Sequence, residues 1–238
     1  MIIHYLDPAG NTTAIVEDGL DIPAAKRLEI SRDIMDKGLA EQVAFEVAPG
    51  RIEMMGGEFC GNASRAYGYL KALDCWSTGE HEVLINISGA SGPVLVKVNL
   101  DAGEAYAAMP SPLEIVQLAV GDVTYPVVRM EGIDHMIIHS EADEMLAAAA
   151  IEAMLEQLGQ DACGVMFLSD NKLVPVVHVR ETNSTIWESS CGSGSVATAW
   201  YLASGSTGEF ELVQPGGTIK VIIDDGQIMM GGKVSIME

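Results

Sequence analysis

The feature that most restricts this chain is a motif carried twice. Gly56-Gly57-Glu58-Phe59-Cys60-Gly61-Asn62-Ala63-Ser64-Arg65-Ala66 has a downstream partner in Ser189-Ser190-Cys191-Gly192-Ser193-Gly194-Ser195-Val196-Ala197. With Cys60 laid on Cys191, Gly61, Ser64 and Ala66 fall on Gly192, Ser195 and Ala197, and Tyr69 falls on Trp200. Behind each cysteine the pattern predicts the same series: a helix, a strand, a Gly/Pro turn, a strand, an Asp/Gly turn (99–103 and 224–226) and another strand. An internal duplication by fusion is the economical account. It predicts two similar lobes related by a pseudo-two-fold axis, with one cysteine from each reaching a shared cleft.

Small residues around a cysteine let backbone N–H groups converge, and a helix N-terminus adds partial positive charge. Such surroundings favour thiolate over thiol. The competing reading is two inert buried cysteines; matched contexts in two half-repeats argue for function at Cys60 and Cys191. Cys75 and Cys163 lack the flanking glycine turn and read as inert. Two opposed thiols suit inversion of a carbon stereocentre, where one group removes a proton and another returns one to the opposite face. Backbone N–H groups after each cysteine (Gly61, Asn62; Gly192, Ser193, Gly194) could bind a carboxylate and take up developing charge. One thiolate and one thiol then titrate as a coupled pair. From other classes, the pair could cycle through a disulfide as a redox protein, or the scaffold could bind an amino acid without catalysis.

Composition narrows the partners. A net charge of −21 with only 13 basic residues argues against nucleic acid and against an anionic membrane surface. No long apolar run or charged leader precedes Asp7-Pro8, so neither a transmembrane span nor a signal peptide is expected. Four cysteines without a Cys-x-x-Cys pair make neither a disulfide framework nor a zinc site, and free thiols suit the cytoplasm. Of the five histidines, His135 stands at a turn-to-strand junction where it could face a cleft, and no set of metal-ligand spacing is present. The oligomeric state is open, with a homodimer as the assembly to test.

Strand–turn–strand is predicted over residues 1–17, a helix over 21–38 ending at Gly38, and a hairpin over 42–48 and 51–55. The first cysteine helix runs to about Leu73, followed by strands at 83–88, 94–100 and 104–109. Strands at 116–120, 124–129 and 136–139 come next, then an Ala-rich helix at 141–158 and strands at 165–168 and 175–180. A helix over 195–203 and strands near 210–213, 218–223 and 233–237 close the chain. Pro110 and Pro112 mark the linker between a lobe of residues 1–110 and one of 111–228, with a last strand over about 229–238 returning to the first.

The residues Glu58 to Arg65, Ser190-Cys191-Gly192-Ser193-Gly194, Gly10-Asn11 and Gly132 to His135 resemble motifs of the diaminopimelate-epimerase-like family of cofactor-independent amino-acid racemases. Diaminopimelate epimerases carry Glu-Arg-Gly shortly before the second cysteine; this chain has Thr182-Asn183-Ser184. Pro8-x-Gly10-Asn11, Glu41-Gln42-Val43, Trp187-Glu188 and Gln214-Pro215-Gly216-Gly217 look instead like the histidine racemases of staphylopine-type metallophore pathways. The resemblance implies an α+β fold of two pseudo-symmetric lobes, each a curved, mostly antiparallel sheet around a central helix. It implies a racemase without pyridoxal phosphate or metal that acts on a free amino acid, histidine first, with diaminopimelate or another amino acid as the alternative. Cys60 and Cys191 are then the acid/base pair, and Asn11, Glu41, Gln42 and Asn62 line the substrate pocket. Trp187 and Glu188 are expected to wall its side-chain end.

Overall fold

The computed structural model describes residues 1–237. The chain divides into two compact units, one of Met1–Met109 with the stretch from Met229 onward, the other of Pro110–Ile228. In the first, β1 (Ile3–Asp7) and β2 (Thr13–Val16) pair antiparallel, and α1 (Ala24–Asp36) crosses to β3 (Gln42–Ala48), which runs parallel to β2. β4 (Arg51–Met54) returns antiparallel to β3. α2 (Gly61–Cys75) then leads to β5 (Glu80–Ile87), parallel to β4, and on to antiparallel β6 (Val94–Asn99) and β7 (Glu104–Met109).

The second unit opens with the hairpin of β8 (Glu114–Val120) and β9 (Val123–Arg129). β9 pairs antiparallel with β10 (Ile133–Ile138), α3 (Glu144–Gln157) crosses to the parallel strand β11 (Ala162–Ser169), and β12 (Lys172–Val179) returns antiparallel. β13 (Ser184–Trp187) adds to β12 before α4 (Gly192–Ala203) leads to β14 (Gly208–Gln214), parallel to β12, and antiparallel β15 (Gly217–Asp224). β16 (Gln227–Lys233) and β17 (Ser235–Ile236) finish the described chain; β16 pairs with β7, and β17 with β1. From β1 to β6 and from β9 to β15 the pairings follow one series, antiparallel, parallel, antiparallel, parallel, antiparallel. β13 is the insertion in the second copy. The fold is α+β, as expected.

The two cysteine helices are core helices. Every residue of α2 from Gly61 to Leu70 is buried, as is every residue of α4 from Gly194 to Ala199. A helix with no polar face must be covered on all sides, and small residues let strands come close. A Cβ at Gly68 would sit 2.6 Å from Val96 Cγ1. α1 and α3 each bury a single stripe, Ser31 and Ile34 in one, Ala147, Ala150, Ile151 and Met154 in the other. The strands alternate between these layers. Along β11, Val165 and Phe167 join the cluster under α3, whereas Gly164 and Met166 face the other way, where Gly194 of α4 abuts Met166.

Two expectations need correction. The third strand after α4 runs over 227–233, not 233–237, because two glycines masked its β character: a Cβ at Gly231 would overlap Ala105 O of β7. β13 also went unpredicted; Thr182-Asn183, with Asn183 at φ +47, makes the turn that folds it onto β12.

Candidate active site

Cys60 caps α2 from extended backbone (φ −132, ψ 114), and its Sγ accepts the Ala63 N–H at 3.4 Å. One turn on, Ser64 Oγ donates to the Cys60 carbonyl at 2.8 Å. Gln42 opens β3 on the face turned to α2, and the Cys60 thiol donates to its Oε1 at 2.8 Å. Asn11 lies buried just before β2, its Nδ2 donating to Glu41 Oε2 at 3.3 Å. Its Oδ1 is buried and without a hydrogen-bond partner among the described residues. Arg65 is wholly buried in α2, donating Nε to Asn62 Oδ1 (3.1 Å), Nη2 to Pro8 O (2.6 Å) and Nη1 to Lys233 O (3.3 Å). Burial brings this guanidinium down to about 10 while Cys60, Asp7 and Tyr106 oppose the shift. It remains a cation at neutral pH, anchoring the turn that carries Asn11.

The second unit repeats the arrangement around Cys191. This residue caps α4 (φ −125, ψ 113), accepts the Gly194 N–H at 3.4 Å, and receives Ser195 Oγ–H on its carbonyl at 2.6 Å. Gln214 at the end of β14 clamps the cap: Oε1 accepts the Cys191 N–H and Nε2 donates to Ser195 Oγ, both at 2.8 Å. Ser193 Oγ is 3.6 Å from Sγ and 2.9 Å from His135 Nε2. Burial drives the His135 imidazole down to about 3, so it is neutral. Its Nδ1 has no partner among the described residues and packs against Gly164. A buried lone pair is better tolerated than a buried N–H, which puts the proton on Nε2, pointing at Ser193. Burial pushes the Cys191 thiol well up, the Glu188 carboxylate adds to this by charge and hydrogen bond, and Gly194 N–H and Ser193 pull the other way.

The expected residues thus fall into two local groups, Asn11, Glu41, Gln42, Gly61 and Asn62 with Cys60, and His135, Glu188, Gly192, Ser193 and Gly194 with Cys191. Three readings change. A helix N-terminus was expected to favour thiolate at both cysteines, but at Cys191 burial and Glu188 outweigh it. The Gly194 N–H is taken by Cys191 Sγ and is not available to a ligand, whereas Gly61, Asn62, Gly192 and Ser193 occupy the first turns, whose N–H groups point out of the helix ends. Trp187 does not wall the Cys191 site: its ring stacks on Phe167 (centroids 6.2 Å apart) and lines a groove with Ile151 and Leu155 of α3, on the far side of the sheet from α4. Arg65 and Gln214 had no assigned part. Arg65 stood in the motif as a signal, but two of the three oxygens it holds, Pro8 O and Lys233 O, lie far from it in sequence. Of the remaining thiols, Cys75 is exposed and burial pushes Cys163 up to about 11. Among the described residues no cluster of three His, Cys, Asp or Glu side chains is arranged to hold a metal, and no helix is long and apolar enough to cross a membrane.

The fold recurs in solved structures. One is a "Predicted Epimerase" from Pseudomonas aeruginosa, with a TM-score of 0.70 at 14% identity, covering 99% of this chain and 96% of that one. Another is a PhzC/PhzF-type phenazine biosynthesis protein from Clostridium difficile, with a TM-score of 0.65 at 16% identity and the same coverage. This chain therefore has a PhzF-like fold. Within it, the family model described as the histidine racemase CntK N-terminal domain matches residues 3–237, and the chain belongs to that family. A histidine racemase of Fusobacterium nucleatum is 34% identical over 246 residues, spanning 98% of this chain and 92% of the relative. One of Staphylococcus aureus is 24% identical over 90% of this chain and 85% of the relative. The protein is an enzyme, an isomerase of the racemase kind.

Proposed function

We propose that the enzyme racemises free histidine at Cα, with Cys60 and Cys191 as the acid/base pair and neither pyridoxal phosphate nor metal in the reaction. One thiolate removes the α-proton while the other thiol delivers a proton to the opposite face. N–H groups of Gly61, Asn62, Gly192 and Ser193 hold the substrate carboxylate and take up carbanion charge. The observation that carries this reading is the repeated cap: in both units a cysteine Sγ accepts one helical N–H at 3.4 Å, with a Ser hydroxyl fixing its carbonyl. The unpartnered Asn11 Oδ1 suits an N–H of the substrate. Both thiols must stay reduced, which fits a cytoplasmic enzyme. The test is deuterium incorporation at Cα in D2O across a panel of L-amino acids that includes diaminopimelate, with reductant present. Histidine should exchange and invert fastest, and Cys60→Ser and Cys191→Ser should each lose turnover by at least about a thousandfold. Near-normal racemisation by either variant, or exchange confined to another amino acid, refutes the proposal.

A further inference from the structure

Both units lay a crossing helix over the sheet in the same way, but the groove beside that helix is filled in one and open in the other. In the first unit α1 supplies its own cation. Arg27 Nη1 donates to Glu53 Oε2 of β4 at 2.9 Å, and the guanidinium lies over the Phe45 ring of β3, 5.6 Å from its centroid. Aromatic face, carboxylate and cation satisfy one another there.

The second unit has the aromatic face and the carboxylates without that cation. A groove of about 640 Å³ runs between α3 and the strands β12 and β13. Ile151, Leu155 and Val176 give it an apolar floor, and Trp187 walls it, 43% exposed and nearly parallel to Phe167 (5° between the ring planes). Glu144, Glu152 and Glu156 of α3 line the other side, and none of the three has an ion-pair or hydrogen-bond partner among the described residues. α3 itself carries no Lys or Arg. Arg180, which also lines the groove, is turned to carbonyls instead, with Nη2 on Leu155 O at 2.7 Å and Nε on Gln160 O at 3.4 Å.

A second observation points to a ligand. His178 lines the same groove and is only 6% exposed. Its Nδ1 is 2.9 Å from Thr185 Oγ1, which leaves Nε2 with no partner among the described residues. With the ring proton on Nδ1 and given to Thr185, Nε2 offers a lone pair that an N–H donor would satisfy. Unpaired carboxylates attract any cation, but an apolar floor and an open indole face favour one with a carbon stem over a hydrated metal ion.

We propose that this groove is a second ligand site, and that it takes a small organic cation: a guanidinium or ammonium group on a short apolar stem. The charged head sits between the α3 carboxylates and the free face of Trp187 and donates one N–H to His178 Nε2, while the stem covers Ile151 and Val176. The ligand thus takes the part that Arg27 plays in the first unit. The volume is that of a small-molecule site. It lies on the face of the sheet turned away from α4, so it does not overlap the Cys191 site.

Calorimetric titration of the full, reduced chain with butylguanidinium tests this, with butylurea as the uncharged isostere. One butylguanidinium should bind per chain, at least about tenfold tighter than butylurea and more weakly as salt is added. Trp187→Ala should weaken binding at least about fivefold, and Glu152→Gln about twofold to fivefold. Glu82→Gln, on β5 of the first unit, should leave it unchanged, which separates the groove from the general pull of an acidic chain. Binding should also survive Cys191→Ser, since the racemisation site is elsewhere. No saturable binding, equal affinity for butylurea, an affinity unmoved by Trp187→Ala, an equal loss in Glu82→Gln, or loss with Cys191→Ser overturns the proposal. Should Trp187→Ala not fold, the double variant Glu144→Gln with Glu152→Gln decides: loss of the preference over butylurea supports the site, and its retention overturns it.

Discussion

His135 gives the sharpest test of the second site, because its environment converts pH directly into stability. The ring is fully buried, with one hydrogen bond at Nε2 and Gly164 packed against Nδ1, so the folded protein has no room to solvate a second ring proton. Burial lowers the folded imidazole from 6.5 to about 3. Between those values the unfolded chain takes up a proton that the native state refuses. The stabilisation is therefore complete above the unfolded value and is lost as pH falls towards the folded one. From neutrality to about pH 4 the loss from this one group is about 3 kcal/mol, a large share of a typical domain's ~5–15 kcal/mol. Carboxylates titrate over part of the same range, so the comparison is with His135→Gln. Urea unfolding midpoints measured across this range should fall more steeply for the wild type than for the variant, and the two curves should run parallel above neutrality. Equal slopes would mean that the native ring protonates normally, and the argument from burial and tautomer at Ser193 would fall with it.

Two further substitutions separate site from scaffold. Gln214→Met removes both bonds of the Cys191 clamp and strands a buried N–H, so it should cost about 2–4 kcal/mol in urea unfolding and reduce racemisation beyond what that instability explains. Asp143→Ala removes the N-cap bond to Leu146 N–H on α3, away from both cysteines; it should cost about 1 kcal/mol while leaving the racemisation rate unchanged.

The duplication was readable because its spacing is strict, and the structure returns it as identical cap geometry: Ala63 and Gly194, Ser64 and Ser195, bond Cys60 and Cys191 in the same way. Helices and hairpins with local punctuation were readable too, such as the turn at Gly50 (φ +75) and the stop at Gly38 (φ +65). What stayed hidden depends on contacts distant in sequence. Trp187 precedes Cys191 by only a few residues, yet strand alternation turns its ring to the opposite face of the sheet, and no local pattern states which face a short strand offers. Arg65 is a charged side chain inside a core helix, a placement that becomes sensible only when Pro8 and Lys233 arrive to receive it. The raised thiol of Cys191 likewise follows from how deeply α4 is buried, which a cysteine–glycine motif does not reveal.

β17 has a consequence for how the protein is made. Leu6 pairs with Ile236, and the Met237 N–H bonds Tyr5 O at 2.8 Å, so β1 waits for a strand synthesised after the whole second unit. Residues 110–228 form one continuous compact unit, and they can condense while translation is still under way. The half translated first therefore matures second, and during that delay the uncovered edge of β1 is the segment most open to pairing with a neighbouring nascent chain.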